Sequence, residues 1–473
     1  MLNYFYIEIL WLGWYYDNIT MIGVQTIGNA TLVAYDQKPI LSTDPWMGGD
    51  SYTFFGTWHM PYDIPQNIKE DIIKSEYIWF SHGHPDHLNH DSLHLFKNNK
   101  ILISDHFGSR IYKDLKAENY NITILEDRKW INLSKNISIM SIATKIQDSI
   151  LLLRVNNDIF INLNDAGPYS SKFIKKTISK FRRKFLLCIS ASSGDMSNFY
   201  DENNNFIEPA IVHMFSAGKY LSIVADVLGA KFIIPFSVFH EYQRADSVWA
   251  NKYIYPINKY PDDISNKHVY IKPFSYINCE KDDDFISLDV KERKLEIKSP
   301  EFFGDNWKDE LGISDKKVIE DYFANFLSFK NKVEFISFIV GGKEFNLKFN
   351  GPKNVGISFE APKKSLLTAC KYRVFDDLLI GNFMKTKLYN LQSLYEPKAH
   401  FAYEIAKYGD NGMAYSNEEL SRYKKFYAKK MGTEYFMDLF ANTCRDYFVY
   451  FFKNYQSSKY YNNIKKCYYY LLK

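Results

Sequence analysis

Residues 79 to 90 read WFSHGHPDHLNH, four histidines and an aspartate directly behind a run of strand-forming side chains. Whatever this chain folds into must end a buried strand where those side chains can converge. In extended backbone alternate side chains point the same way, so His82 and His84 can present two imidazoles to one ion. Pro85 then forces a turn, and Asp86 and His87 are aimed from it at a second point a few ångströms away. Imidazole and carboxylate are ligands that zinc, iron and manganese accept, and two such cations about 3.5 to 4 Å apart can hold a hydroxide at neutral pH. Of the eleven histidines in the chain, five fall within residues 82 to 94, a density that a surface loop has no reason to show. His90 and His94, four apart on the helix that follows, are expected to be solvated or to back the ligands.

The remaining sequence has to supply a scaffold. With 473 residues, 46% hydrophobic and 24% charged, the chain can bury the core of one large domain and a second. A net charge of +4, with Lys and Arg scattered, leaves no electrostatic footprint for nucleic acid. No run of about 18 uncharged apolar residues is present to span a bilayer. Cys188, Cys279, Cys370, Cys444 and Cys467 are odd in number and contain no CxxC, so they read as reduced thiols and suggest a cytoplasmic setting. Residues 1–20 are apolar and aromatic but contain Glu8 and lack a cationic stretch and a cleavage site. They are expected to form a flap or extra strand, with Met21 an equally good start.

From Met21 to about Pro273 short apolar runs alternate with amphipathic stretches, an α/β pattern. ATLVAYDQKPILSTDPW predicts two strands around the turn at Asp36 to Pro39, with Asp44 at the end of the second. ISIMSIA, SILLLRV and DIFINLND predict a meander ending near Asp165, and YLSIVADVLGA a helix closed by Gly229. Composition shifts within residues 279–307, giving a metal-binding domain over 21–290 and a mixed, largely helical region of unknown role over 291–473. That region carries a hairpin around Gly341 and Gly342 but no chemical motif. Asp376, Asp377 and the YGDNG at 408–412 read as helix-start and turn chemistry.

His-x-His-x-Asp-His behind a hydrophobic strand, with Thr-Asp-Pro ahead of it, resembles the metallo-β-lactamase superfamily over roughly residues 21–275. That resemblance implies an αββα sandwich with metals at the edge of its two sheets. A narrower likeness is carried by TDPWMGG, GTWHMPYDIP, SHGHPDHL, NLNDAG, IPFSVFHEYQRADSVWANKY and DDLLIGNFMKTKL. These resemble the catalytic portion of the hydroxylases of CMP-N-acetylneuraminic acid and their bacterial relatives. Residue by residue, the superfamily's pattern puts His82 and His84 on a first metal, Asp86 and His87 on a second, and Asp165 between them. It makes His240 the last histidine ligand and lets Asp44 support the site, with Asp86 and Asp165 closest to the chemistry. The superfamily usually supplies another histidine from a loop that here reads SIATKIQDSI and has none. Gln147, Asp148 or His106 are the alternatives, and an oxygen ligand there brings iron and manganese in beside zinc.

The expected cofactor is therefore a pair of divalent metal ions, zinc or iron, with manganese open. One expectation is a hydrolase in which a hydroxide between the metals attacks an ester, amide or phosphodiester. The resemblance makes a sugar nucleotide or a glycan-related compound the expected small-molecule substrate. The alternative is an iron-dependent oxygenase hydroxylating an N-acyl sugar nucleotide. The resembled hydroxylases draw electrons through a Rieske cluster held by two Cys and two His. No cysteine here has a histidine two or three positions on, so an oxygenase would need a separate electron-transfer partner. A third reading, a non-catalytic binding protein with a degraded metal site, rests on the missing histidine. Trp46 and Trp58 suit either an aromatic rim or a core. Tyr242 and Arg244 lie near His240, where the guanidinium pairs with a substrate phosphate or carboxylate, or structurally with Asp246 or Glu241.

Overall fold

The computed structural model describes residues 21–190, 197–209, 216–396 and 399–437. The expected N-terminal flap lies outside them. Among the described residues two large sheets stack face to face. The first runs, in spatial order, Phe285–Ser287, Ser275–Asn278, Ile22–Ile27, Thr31–Asp36, Pro39–Thr43, Tyr77–Phe80, Lys100–Ser104 and Ile122–Leu125. The second runs Val269–Tyr270, Phe232–Pro235, Arg183–Cys188, Asp158–Asn164, Ser149–Val155, Ile137–Ala143 and Trp130–Asn132.

The alternation of side chains along each strand explains the layering. Val24, Leu32, Leu41, Trp79 and Leu102 of the first sheet face Ile139, Leu151, Phe160, Phe185 and Ile234 of the second in one dry core. On the outer face of the first sheet Val33, Ile78 and Ile101 pack against Ile68, Ile72 and Leu115 of flanking helices. On the outer face of the second, Ile142, Leu152 and Ile161 pack against Ile174, Leu221 and Val224. This is an αββα sandwich, the arrangement that the resemblance implied. The helix Ala217–Leu228 ends where Gly229 takes φ 72°, as its sequence predicts.

The parallel strands carry the consequence for function. Pro39–Thr43, Tyr77–Phe80 and Lys100–Ser104 run parallel, as do Asp158–Asn164, Arg183–Cys188 and Phe232–Pro235. Their carboxyl ends therefore deliver Asp44, the 81–87 loop, Asp165 and Ser237 together.

A third sheet organises the C-terminal half: Phe199–Tyr200, Lys385–Tyr389, Gly356–Glu360, Phe335–Val340 and Lys343–Lys348. The hairpin turn at Gly341 and Gly342 has φ 62° and 76°, left-handed values that suit a two-residue connection. Tyr322, Phe323, Phe338, Phe359, Phe375 and Phe401 build its core. The region is mixed, as expected, but the sequence pattern marked only the hairpin of this sheet. Its first strand comes from within the sandwich sequence, so the two halves are interleaved. No described helix is long and apolar enough to cross a membrane.

Candidate metal centre

The 81–87 loop leaves the strand Tyr77–Phe80 and folds its histidines inward. His82 Nε2 and His84 Nδ1 stand 3.0 Å apart. His87 Nε2 lies 3.4 Å from Asp86 Oδ2 and 3.3 Å from Asp165 Oδ1, and its Nδ1 is 3.1 Å from Asp44 Oδ2. Asp44 also accepts the Ser81 backbone N–H at 2.7 Å, which pins the loop to the strand end. Asn29 donates to Asp86 at 2.9 Å, and the Ser237 hydroxyl donates to Asp165 at 2.5 Å. Asp44, Asn164 and Ser237, all at strand ends, adopt φ of 40°, 39° and 57°. Such backbone is costly and gathers where a site dictates it.

Among the described residues, three sets of side chains bring one ligand atom each within 4.8 Å of one another: His82, His84 and Asp165; Asp86, His87 and Asp165; and His84, Asp376 and Asp377. The first two share Asp165. The third joins the sandwich to the C-terminal half, where Asp376 Oδ2 lies 3.1 Å from His84 Nε2.

Electrostatics follow from burial against pairing. Burial drives the His82 imidazole well below its usual range, helped by the neighbouring His87 and His84. Burial also works against His87, but Asp86, Asp165 and Asp44 outweigh it and hold that ring well above. Asp86 is pushed up to about 6 by burial, with His87 opposing. Asp165, partly buried, is held below its usual value by His87, which outweighs the effect of burial. A buried cluster of carboxylates that relies on one imidazolium for balance is suited to cations. The Asp86 Oδ1 and both ring nitrogens of His240 are buried without a hydrogen-bond partner, as ligand atoms would be. Nitrogen and oxygen donors in this mixture fit a divalent transition metal.

The remaining candidates separate. His240 is buried and stacks on Trp58, ring centres 3.5 Å apart, outside the three sets. Burial takes it down to about 3, so it is a neutral ring. His106 is not brought to the cluster: Tyr427 and Ser149 occupy its nitrogens at 2.9 and 2.8 Å. Gln147 is likewise turned away, donating to the Tyr427 hydroxyl. Asp148 faces Lys407 at 3.9 Å. Trp46 is fully buried in the core and forms no rim. Arg244 is unavailable to substrate, since Asp246 and Asp305 hold it at 2.8 Å each and the Phe55 carbonyl takes a further N–H. Tyr242 is buried against Trp58 and accepts from Asn382 at 3.1 Å. His90 and His94 are exposed.

Four contributors escaped the sequence reading: Asn29 and Ser237 within the sandwich, and two from beyond it. Asp376, in the first turn of Phe375–Ile380, and Lys407, on the π-helix Ala402–Asn411, both come from the region without a motif. The paired acids ahead of a buried Leu-Leu were visible, but as helix-start chemistry. Lys407 stays charged because Asp148, Asp376 and Asp165 outweigh its burial. A π-helix is rare and concentrates at functional sites, yet has no sequence signature.

No protein-family model matches the chain. Cytidine monophosphate-N-acetylneuraminic acid hydroxylase of Asterias rubens is 29% identical over 107 residues, covering 21% of this chain and 16% of that protein's length. Among solved structures, the metallo hydrolase Igni18 of Ignicoccus hospitalis covers 54% of this chain and 97% of its own, with 12% identity and a TM-score of 0.36. An isothiocyanate hydrolase from Delia radicum gut bacteria covers 54% and 98%, with 12% identity and a TM-score of 0.37. CmlA, a diiron β-hydroxylase of Streptomyces venezuelae, covers 55% of each chain, with 9% identity and a TM-score of 0.37.

Proposed function

We propose that this chain is a metal-dependent hydrolase working through two divalent cations, one held by His82, His84 and Asp165, the other by Asp86, His87 and Asp165. The observation that carries this reading is the shared Asp165, which belongs to both ligand sets. The cations would supply Lewis acidity and a water acidic enough to attack at neutral pH. The protein's own part is placement. Asp165 spans both positions while Ser237 fixes its carboxylate. Asn29 does the same for Asp86, and Asp44 fixes the tautomer of His87 by accepting its Nδ1–H. The Lys407 ammonium provides a fixed positive charge beside the centre for an anionic group on the substrate or the charge that develops on its carbonyl or phosphoryl oxygen. Trp58 stacks on the His240 ring and fixes its plane.

On the partial likeness to the Asterias rubens hydroxylase we assign a sugar nucleotide or a glycan-related ester, amide or phosphodiester as substrate class. The test is elemental analysis of purified protein together with turnover of aryl esters and bis(p-nitrophenyl) phosphate. Two metals per chain with chelator-sensitive hydrolysis support the reading, and a metal-free protein that stays inert after zinc, iron or manganese is added overturns it. A second reading, hydroxylation of an N-acyl sugar nucleotide with iron and an external electron donor, is favoured by the partial likeness to the Asterias rubens hydroxylase. Iron-loaded protein that consumes oxygen with a reductant, and hydrolyses nothing, would select it.

A further inference from the structure

His84 is the only histidine of the 81–87 loop whose two ring nitrogens face different halves of the molecule. Its Nδ1 faces His82 Nε2 at 3.0 Å and its Nε2 faces Asp376 Oδ2 at 3.1 Å, across 292 residues of sequence. A neutral imidazole has one N–H and one lone pair, and an ionised carboxylate can only accept. Asp376 therefore accepts the hydrogen bond from Nε2–H, which keeps the proton on that nitrogen and leaves the lone pair on Nδ1, toward His82 and Asp165. The other half of the centre repeats this with the nitrogens exchanged: Asp44 accepts from His87 Nδ1 and leaves Nε2 toward Asp86 and Asp165.

We propose that Asp376 is a positioning residue of the metal centre, supplied by the C-terminal half, which sets His84 as an Nδ1 ligand of the first cation. The same logic decides against a cation in the His84, Asp376 and Asp377 set, because that position would need the lone pair on Nε2. Arg110 braces the backbone just ahead of Asp376. Its guanidinium reaches from the sandwich to the carbonyls of Arg373 and Tyr372 at 2.7 Å each and of Asp410 at 3.2 Å, beside the start of the helix that carries Asp376. The C-terminal half is thus part of the centre rather than an appendage to it.

This inference rests on the dinuclear reading, and the experiment separates the two. Zinc affinity of the full chain is measured by chelator competition for wild type, Asp376→Leu and Asp376→Asn, beside their urea midpoints. Removing an outer carboxylate that orients a ligand costs roughly 10- to 100-fold in metal affinity. Asp376→Leu should lose that much for one of two zincs, while Asp376→Asn, whose amide oxygen still accepts from Nε2–H, should stay within about threefold of wild type. If Asn is as damaging as Leu, Asp376 binds metal itself and the proposal falls. It falls too if Leu lowers the urea midpoint but not the affinity. Should Leu fail to fold, nitrogen-15 histidine spectra of zinc-loaded wild type decide: the metal must sit on Nδ1 of His84, and Nε2 coordination overturns the proposal. A wild type that takes no metal at all refutes the dinuclear reading instead.

Discussion

The two histidine–carboxylate pairs of the centre are chemically alike and differ in how they are held. Asp44 and His87 are 43 residues apart, both side chains are fully buried, and both stand at the ends of adjacent strands of one sheet. Asp376 and His84 come from separate hydrophobic cores, and the His84 side chain keeps 14% exposure. The first pair is fixed by the sandwich that the chain must form anyway. The second exists only while two halves remain docked, so it is the adjustable one.

That contrast orders the consequences of substitution. Asp165→Ala removes the ligand common to both positions, and should strip both metals with a loss of turnover well beyond the roughly 100-fold of an outer carboxylate. Retention of even one tightly bound metal, read by elemental analysis, would break the shared-ligand picture. Asp44→Ala removes the carboxylate that accepts from His87 Nδ1 and from the Ser81 N–H while Asp86 and Asp165 still face His87 Nε2, a loss of about 1 to 3 kcal/mol. Urea unfolding should register that loss directly. Arg110→Ala should loosen the docked pair only, weakening one zinc by less than about tenfold while the other keeps its wild-type affinity. Equal weakening of both would erase the distinction drawn here.

A fourth outcome concerns pH at the same docking surface. Burial takes His106 down to about 3, beneath the Tyr427 hydroxyl of the C-terminal helix Asn417–Met431. As pH falls through 6.5 the unfolded chain takes the proton and the folded one does not, so stability is full above 6.5. It then declines toward pH 3 by up to about 1.4 kcal/mol per pH unit. His106→Gln should show a shallower decline between pH 7 and 5 than wild type. The smallest effect belongs to His94→Ala, an exposed change expected to stay within about 0.5 kcal/mol of wild type and to leave metal content unchanged.

The same contrast explains what could be read from the chain. The strand ahead of the 81–87 loop, the turn at Asp36 to Pro39 and the apolar runs that end near Asp44 and Asp165 are local patterns, and local patterns specified the sandwich. Asp376 depends on a docking between halves 292 residues apart, which no short window contains. Lys407 needs an irregular helix that has no residue code. Arg244 and Trp46 resemble substrate-facing side chains by type alone, but Asp305 and the packing around the first sheet's outer face, both distant in sequence, took them into the interior. The strands Gly356–Glu360 and Lys385–Tyr389 were missed for a related reason. They pair with each other across two intervening helices, Lys363–Tyr372 and Phe375–Ile380, and at five residues each are too short for an alternating pattern to declare itself.

Left-handed backbone at Ser237 sets a limit on how durable this protein can become. Glycine would take that conformation freely, relieving roughly 1 kcal/mol of backbone strain, part of which its greater freedom in the unfolded chain takes back. The same exchange deletes the hydroxyl that touches both Asp165 and His87. Selection for endurance at this one position therefore runs directly against reactivity, and a heat-adapted descendant would have to find its tolerance elsewhere in the chain.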